Sequence, residues 1–387
     1  MAAKPRFDGE WVKVSEVFNL QMGKTPSRKN PSYWNNGDHD WVSIKDLGSY
    51  GRYVGHTKET ISELGRMESG IKPVPAGTLL MSFKLSLGKM AITTKQTYTN
   101  EAIMAFLDKG CYQFDLGYMW HQFRSKDWTE GTNIAVMGKT LNKQTLGKAM
   151  IRLPELREQE NISTLLDKAQ EQLAIAETMQ VKLDTLVKSR FVEMFGENSK
   201  WEHAPLGEHV DILVGFPFKS SGYVDEGVNI CGGLIIGQGK IDWGACKHWP
   251  SIAGYEKYLL SSDDIVIALD RPWVKDGFKI AQVDESHLPA LLIQRTARIK
   301  AIDFNQSFVR HLLEQPEFKE HCTVKGTMVP HISNKDIASY EVPVVPKQLQ
   351  QEFASFVAEV DKSRFIVQKQ IEKLQTLYDS LAQEYFS

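Results

Sequence analysis

Two stretches of the sequence decide the fold: ISTLLDKAQEQLAIAETMQVKLDTLVKSRFVEMF at residues 162–195 and FASFVAEVDKSRFIVQKQIEKLQTLYDSLAQEYF at residues 353–386. They align without a gap at an offset of 191 residues. In both, seam positions recur at alternating spacings of four and three residues, which is the pattern of a coiled coil. Neither stretch contains proline or glycine, so each predicts one continuous helix of about 42 residues, roughly 60 Å long.

The two predicted helices are expected to pack on each other. Of the twenty seam positions, seventeen are apolar or aromatic. We expect an antiparallel pairing, because each helix adjoins a globular segment. The alternative is two amphipathic helices in separate cores, which their length disfavours, since the mean helix has about 11–12 residues. The apolar seam positions used below are Ile162, Leu166, Ala169, Leu173, Leu183, Val187, Phe353, Val357, Val360, Val367, Ile371, Leu374, Tyr378 and Leu381.

Three polar residues, Gln180, Arg190 and Arg364, occupy the remaining seam positions. Polar residues at such positions commonly fix the register of a coiled coil at a modest cost in stability. Contact with a partner protein is the other explanation. The sequence does not decide between the two.

The segments around the helices also repeat. Residues 141–146 match residues 332–337 at the same offset, and Gly23 and Gly215 occupy similar places near the two starts. The middles of the globular segments show little similarity. We therefore predict a pseudo-two-fold symmetric chain of four parts: a first globular domain at 1–152, a central helix at 153–197, a second globular domain at 198–344 and a C-terminal helix at 345–387.

Short strand-like runs separated by turn signals fill both globular segments. In the first they include residues 78–83, 89–93 and 134–138, and helices are predicted at 101–107 and 116–123. In the second, strands are predicted at residues 264–269, 278–283, 290–294 and 296–300, and a helix at 306–313. The predicted fold class is α+β: two globular α/β domains, with largely antiparallel sheets, separated by an antiparallel intramolecular coiled coil.

Composition and charge exclude several classes of protein. The chain has 387 residues, of which 42% are hydrophobic and 24% charged, and its formal net charge is −2. This is ordinary globular composition, and no apolar run approaches the roughly 20 residues of a membrane span. The four cysteines form no CxxC pair, which fits a reducing cytoplasm. Residues 1–152 carry a net charge of +7, enough to bind phosphates, whereas residues 198–344 carry −4 and would need a local basic patch or a basic partner subunit to do so.

One segment of the first domain carries a recognisable series of motifs. GKTPSRKNPSYWNNGDHDWVSIKDLG, residues 23–48, contains a G-x-T-P loop, a Tyr-Trp pair, Trp-Val-Ser-Ile and Asp-Leu. It resembles the start of a target-recognition domain in the specificity (S) subunit of type I restriction-modification systems, the HsdS family. The second domain resembles a different subclass, with GFPFKSSGY at 215–223, RPWVKDG at 271–277 and LLIQRTARI at 291–299. The resemblance extends over nearly the whole chain and includes its repeat order.

This resemblance implies a DNA sequence-specificity subunit without catalytic residues, metal or cofactor of its own. Each recognition domain would read one half of a bipartite, asymmetric site in double-stranded DNA. The coiled coil would set the spacing and dock two modification subunits, which methylate adenine N6 with S-adenosylmethionine. Restriction subunits, which use ATP and magnesium, would complete the complex. The alternative function is a non-catalytic coiled-coil scaffold that binds proteins without recognising DNA sequence.

Basic and hydroxyl side chains in predicted loops are the candidate DNA contacts, because such groups bind phosphates and base edges. For Lys24–Lys29 the alternative is a solvated basic loop, and for Arg271 and Arg295 it is a structural ion pair. Tyr33, Trp34 and Trp41 are interpreted as packing residues in preference to base-stacking ones. The candidates are Lys24, Thr25, Ser27, Arg28, Lys29, Lys84, Arg124, Lys126, Lys219, Ser220, Ser221, Arg271, Lys275, Arg295 and Lys325.

Overall fold

The computed structural model describes residues 9–84, 86–128, 141–196, 200–275, 277–323 and 331–386. The chain divides into two compact units. Unit 1 comprises Met1–Glu177 and Lys369–Ser387, and unit 2 comprises Thr178–Gln368. The predicted strand at 134–138 lies outside the described residues.

The elements follow in chain order. The strands up to the first long helix are β1 (Glu10–Lys13), β2 (Phe18–Met22), β3 (Trp34–Val42), β4 (Glu59–Ile61), β5 (Leu79–Ser82), β6 (Met90–Ile92), β7 (Tyr98–Thr99), β8 (Ile103–Asp108) and β9 (Met150–Leu153). The helices are α1 (Val14–Val17), α2 (Ile44–Leu47), α3 (Glu63–Ser69), α4 (Leu116–Ser125), α5 (Lys143–Lys148) and α6 (Leu156–Phe195), the last being the central helix.

The remaining strands are β10 (His203–Pro205), β11 (Val210–Val214), β12 (Val228–Cys231), β13 (Lys247–Trp249), β14 (Ile265–Ala268), β15 (Trp273–Val274), β16 (Gly277–Phe278), β17 (Ile280–Gln282), β18 (Ala290–Leu292), β19 (Thr296–Ala301) and β20 (Glu341–Pro343). The helices are α7 (Gln306–Leu313), α8 (Pro316–Thr323), α9 (Asn334–Ala338) and α10 (Lys347–Phe386), the last being the C-terminal helix. Short 3-10 helices cover Pro31–Tyr33, Leu206–Glu208, Ser220–Gly222, Trp243–Ala245, Glu256–Tyr258 and Glu285–His287.

Within each unit, one end of the central helix packs against one end of the C-terminal helix. In unit 1, Ile162 and Leu166 share a core cluster with Tyr378, which lies near the end of the C-terminal helix. In unit 2 the order is reversed: Phe191, near the end of the central helix, packs edge-on against Phe353, near the start of the C-terminal helix, with ring centroids 5.4 Å apart. The start of each helix therefore meets the end of the other, and the predicted antiparallel coiled coil is confirmed.

The three sheets of unit 1 have counterparts of the same strand order in unit 2. Unit 1 contains a four-stranded antiparallel sheet β2-β8-β5-β6, a three-stranded sheet β4-β3-β7 and the pair β1-β9. Unit 2 contains β11-β19-β14-β17, β13-β12-β18 and β10-β20, together with the hairpin β15-β16. In both three-stranded sheets the middle strand pairs antiparallel with one neighbour and parallel with the other. The α+β fold class is confirmed.

Each four-stranded sheet buries one face against a helix and one end of the helix pair. In unit 1, Tyr118 and Phe123 of α4 pack under the sheet beside Phe106 of β8. In unit 2, Phe308 of α7 occupies the corresponding core with Ile299 of β19. Both α4 and α7 were predicted, and α7 covers the predicted residues 306–313.

One predicted helix is wrong. Residues 101–107 were expected to be helical, but β8 spans Ile103–Asp108 and pairs with both β2 and β5. Four of its six side chains are buried, on both faces of the sheet. A short, continuous apolar run of this kind fits a central strand as well as a buried helix, and periodicity cannot separate them.

Among helices in the described ranges, none is long and apolar enough to cross a bilayer.

Candidate nucleic-acid interface

Loops at one end of the four-stranded sheet of unit 1 come together around the turn between β7 and β8. The backbone amides of Gly23 and Lys24 donate to the carbonyls of Ile103 and Thr99, at 3.1 and 2.8 Å. The amide of Phe83 donates to the carbonyl of Ala102 at 3.0 Å. We call residues 23–29, 83–84 and 100–102 the first loop surface. It carries six predicted DNA contacts: Lys24, Thr25, Ser27, Arg28, Lys29 and Lys84.

Three of these side chains have protein partners in the unit itself. Lys24 Nζ donates to the carbonyl of Ser69, and Thr25 Oγ1 donates to Glu101. Arg28 binds both carboxylate oxygens of Glu59, with Nη2 at 2.9 Å from Oε2. These contacts disfavour a freely solvated loop. Ser27 and Lys29 are exposed, and Lys84 lies half-buried beside the ring of Phe83.

Two buried tryptophans, Trp34 and Trp41, anchor residues 24–27 of the first loop surface. The Trp34 and Trp41 rings meet edge to face at 5.0 Å, and both are buried. Their indole N–H groups donate to the backbone carbonyls of Ser27 and Lys24, at 3.2 and 3.1 Å. The Arg28 guanidinium lies 3.7 Å above the Trp34 ring, and its hydrogen bond to Glu59 raises the pKa of Arg28. The packing interpretation therefore holds for both tryptophans.

Corresponding loops of unit 2 enclose a groove. The amide of Phe216 donates to the carbonyl of Leu292, that of Gln294 to Phe216 and that of Leu269 to Arg295, at 2.8–3.0 Å. We call residues 215–221, 269–271 and 293–295 the second loop surface. Beside it lies a cavity of about 880 Å³ with an apolar floor that includes Ile230, Ile235 and Ile293. Its lining also includes four cationic side chains, Lys247, Arg271, Lys279 and Arg295, together with His331 and the acidic Asp270.

The groove supplies the local basic patch that an acidic unit requires for binding an anionic polymer. Arg295 Nη1 lies 3.1 Å from Asp270, so this arginine forms an ion pair while 74% of its side chain stays exposed. Arg271 has no ion-pair partner among the residues that the structure describes. Lys219, Ser220 and Ser221 are exposed at the 3-10 helix beside the groove, and Lys275 is exposed in the turn of the β15-β16 hairpin. Lys325 lies outside the described residues.

Arg124 and Lys126 lie apart from the first loop surface. They border a second groove of about 750 Å³, formed in unit 1 with Trp11 and the end of the C-terminal helix. The Arg124 guanidinium lies 5.0 Å from the Trp120 ring, and the Lys126 amide closes the end of α4 through the carbonyl of Gln122. If these two residues contact DNA, they do so from a different part of the unit.

All fourteen apolar seam residues are buried or half-buried. Arg364 binds Asp184 across the helix pair at 2.7 Å and Asp361 on its own helix at 2.6 Å. Arg190 binds Glu193, one turn away at 2.9 Å, and lies near the ring of Phe356. These pairs support a structural role at the seam.

Two repeated polar residues were missed in the sequence. Gln159 and Gln350, both buried, stand 191 residues apart near the starts of the long helices. The side-chain Oε1 of Gln159 accepts from the backbone amide of Asp115 at 2.9 Å. The side-chain Oε1 of Gln350 accepts from the backbone amide of Asn305 at 2.7 Å. Asp115 and Asn305 are the N-caps of α4 and α7, so each glutamine fixes a domain helix to a long helix. The offset of 191 residues that aligned the two helices could have identified these two glutamines in the sequence.

Buried histidines form a second missed pair, His121 in α4 and His311 in α7. His121 Nδ1 lies 2.9 Å from the Tyr378 hydroxyl, and its Nε2 lies 2.7 Å from Asp167. Burial lowers the pKa of His121, against the opposing effect of the Asp167 hydrogen bond. Burial also lowers the pKa of His311. Both histidines are therefore neutral at neutral pH and act as structural hydrogen-bonding groups.

Comparison with known proteins identifies the relatives of this arrangement. The sequence model described as "Type I restriction modification DNA specificity domain" matches residues 8–184. The type I restriction enzyme EcoAI specificity subunit of Escherichia coli is 33% identical over 176 residues, which are 43% of this chain and 30% of that protein. The MjaIX specificity subunit of Methanocaldococcus jannaschii is 25% identical over 97% of this chain and 91% of its own.

Solved structures share the fold over the full length. A chain from a study of complex assembly and conformational transition of the type I R-M system superposes with a TM-score of 0.63, covering 99% of this chain and 98% of its own at 16% identity. The type I restriction-modification S subunit from M. genitalium gives a TM-score of 0.55, also at 16% identity, covering 100% and 98%. Nothing in these relationships supports a scaffold that ignores DNA sequence. The chain is similar over nearly its whole length to type I restriction-modification specificity subunits, and its residues 8–184 match the sequence model of their DNA specificity domain.

Proposed function

We propose that this chain selects the DNA sequence for a type I restriction-modification complex. Unit 1 reads one half of a bipartite, asymmetric site in double-stranded DNA through the first loop surface, and unit 2 reads the other half through the second. The chain performs no catalysis itself. It works in the cytoplasm, where the DNA and its partner subunits are found.

The duplicated sheet topology is the observation that carries this proposal. The strand order β2-β8-β5-β6 recurs as β11-β19-β14-β17, and a set of loops with exposed cations lies beside each sheet. The loops themselves differ: Lys24, Thr25 and Arg28 in unit 1 contrast with Arg271 and Arg295 in unit 2. Because base recognition depends on the side chains presented, two unlike loop surfaces on one scaffold suit two unlike half-sites.

The outer faces of the long helices are proposed to dock two modification subunits. Exposed apolar side chains, which a solitary helix pair would not need, interrupt the polar face of the central helix. Examples are Ile175 in unit 1 and Val181 and Leu186 in unit 2. Contiguous exposed apolar patches are typical of protein interaction sites, and we propose that these side chains belong to one. The modification subunits would bring S-adenosylmethionine for adenine N6 methylation, and restriction subunits would bring ATP and magnesium.

Methylation mapping tests the proposal. We expect cells expressing this chain with its cognate modification subunit to carry methyladenine in one motif with two unlike halves and a fixed, unread spacer. The modification subunit expressed alone is the control and should leave no such motif. A contiguous palindrome would contradict the two-unit assignment, and no sequence preference at all would contradict DNA recognition.

A further inference from the structure

Two arginines of the second loop surface have backbone conformations that arginine seldom adopts. Arg271 has φ of 46° and Arg295 has φ of 64°, both in the left-handed region. Glycine and asparagine are the residues that such backbones favour, because a Cβ atom crowds the following carbonyl oxygen, glycine has none, and asparagine compensates by local hydrogen bonds. Both residues line the same groove. Local backbone preference therefore opposes arginine at both positions, and a strained backbone of this kind is typical of functional sites.

The backbone around Arg295 is tightly fixed. Gln294 and Arg295 form the turn between β18 and β19, and the Thr296 hydroxyl donates to the carbonyl of Ile293. The Arg295 carbonyl accepts from the amide of Leu269 at 2.9 Å. Arg295 thus leaves the sheet at a defined point, although 74% of its side chain is exposed. A fixed backbone with a solvent-facing side chain suits recognition of a group that approaches from outside.

Asp270 orients the guanidinium from one side. Its Oδ2 lies 3.1 Å from Arg295 Nη1, while its Oδ1 lies 2.7 Å from His331 Nδ1. The amide of Ile332 in turn donates to the carbonyl of Leu269, which holds this segment beside Asp270. Among the residues that the structure describes, Asp270 is the one ion-pair partner of Arg295. Arg271 has no ion-pair partner in the described parts of the chain, so nothing fixes its orientation in the same way.

We propose that Arg295 specifies a guanine in the half-site read by unit 2, with Asp270 and His331 as positioning residues. Guanine presents O6 and N7 as two acceptors in the major groove, and the planar fork of arginine matches them. An arginine whose plane is set before binding discriminates better than a mobile one, because less freedom is lost on contact. This assignment rests on the proposed function and narrows it to one base pair.

The test uses the complex of the full chain with its modification subunits and duplexes containing the mapped site. Each G·C pair in the half-site of unit 2 is replaced in turn. We expect replacement of one pair to weaken wild-type binding by about 5- to 150-fold. Arg295→Ala should weaken binding to the natural site by a similar factor, and should then tolerate the same replacement within about twofold. 7-Deazaguanine at that pair, which lacks the N7 acceptor, should weaken binding of the wild type but not of the variant.

Three further variants make the result specific. Arg295→Lys keeps the charge without the fork and should lose discrimination at the same pair, even if Arg295→Ala fails to assemble. Asp270→Asn should lower discrimination there with little change at other pairs. Lys257→Ala, an exposed cation outside the groove, should behave as wild type.

The outcomes separate the two proposals. If the wild type recognises a bipartite site but the Arg295 variants keep full discrimination at every G·C pair, the guanine assignment is wrong and the proposed function stands. A half-site without any G·C pair, or an equal loss at all positions, would also overturn the assignment. If the wild-type complex shows no sequence preference, the proposed function itself fails.

Discussion

At two glycines, Gly23 and Gly215, the chain has no room for a single additional methyl group. A Cβ on Gly23 would lie 2.2 Å from the carbonyl oxygens of Thr99 and Asn100, and one on Gly215 would lie 2.1 Å from that of Ile293. Both distances are far inside van der Waals contact, and the obstructing atoms are backbone. Each glycine lets the strand that precedes it run directly into a loop surface. The repeated sequence position therefore has a structural cause.

Because burial lowers the pKa of both His121 and His311, we expect the free energy of unfolding to decrease at acidic pH. His121 is fully buried, and burial lowers its folded pKa below the ordinary 6.5, so that unfolding takes up a proton at acidic pH. Its contribution to stability is complete above about pH 6.5 and is lost as the pH falls toward the folded pKa. The loss per histidine approaches about 1.4 kcal/mol per pH unit. The groups that face His121 are Asp167, Tyr378, Arg52, Arg124 and Trp120.

Chemical denaturation at a series of pH values between 5 and 8 measures this effect. His121→Gln should show a smaller decrease of unfolding free energy between pH 7 and 5.5 than the wild type, because one titrating group has been removed. The exposed His203 provides the matched control, and His203→Gln should keep the wild-type slope. An unchanged slope in His121→Gln would show that this histidine is not what links stability to pH.

The residues of the loop surfaces could be predicted by type but not by partner. Cations and hydroxyls in a basic loop identified Lys24, Thr25 and Arg28 as candidates. Their partners Glu59 and Glu101 lie 31 and 76 residues away from Arg28 and Thr25, at distances along the chain that no local pattern connects. The left-handed backbones of Arg271 and Arg295 were equally hidden, since the sequence shows no glycine or asparagine there to mark them.

At the scale of elements, the long ones could be predicted from the sequence more reliably than the short ones. The long helices were predicted because a spacing of four and three residues, repeated over 34 residues, leaves no other regular structure. Most of the strands have only two to six residues, which provide too little pattern, and the strand order depends on pairings such as β2 with β8 that join distant segments. The duplicated topology was therefore hidden in the middles of the units, where the sequences diverge. Similarity remains near the ends of the globular segments, where the matching residues 141–146 and 332–337 overlap α5 and α9.

The connection between a domain helix and a long helix predicts a second measurable effect. Gln350→Met should destabilise unit 2 by about 1–3 kcal/mol, because the variant has a similar shape but leaves the amide of Asn305 and the carbonyl of Val345 without partners. Gln348→Met, two residues earlier on the exposed face, should change stability by less than about 0.5 kcal/mol. Thermal unfolding of both variants gives the comparison. Equal stabilities would show that water replaces the glutamine.

At the scale of the whole molecule, each compact unit contains a part of both long helices. Neither half of the sequence therefore completes a core by itself. The first part of the central helix is covered in unit 1 by residues 369–386, and its last part in unit 2 by residues 347–368. At the offset of 191, residues 347–368 correspond to 156–177 of the central helix itself. Each half of the chain thus already contains a sequence related to the partner that it lacks.

A chain ending at Gly196 is therefore expected to form a dimer. Its unpaired seam, with Leu166 near one end and Val187 near the other, would be exposed in a monomer, and antiparallel pairing with a second copy buries it. Two identical helices paired in this way are related by a two-fold axis. A complex of this dimer with the modification subunits should therefore methylate an inverted repeat of the half-site read by unit 1. Light scattering coupled to gel filtration gives the mass, and methylation mapping gives the motif. Leu166→Glu with Val187→Glu should abolish the dimer. A stable monomer that keeps its fold would show that the helix pair is dispensable for covering the seam.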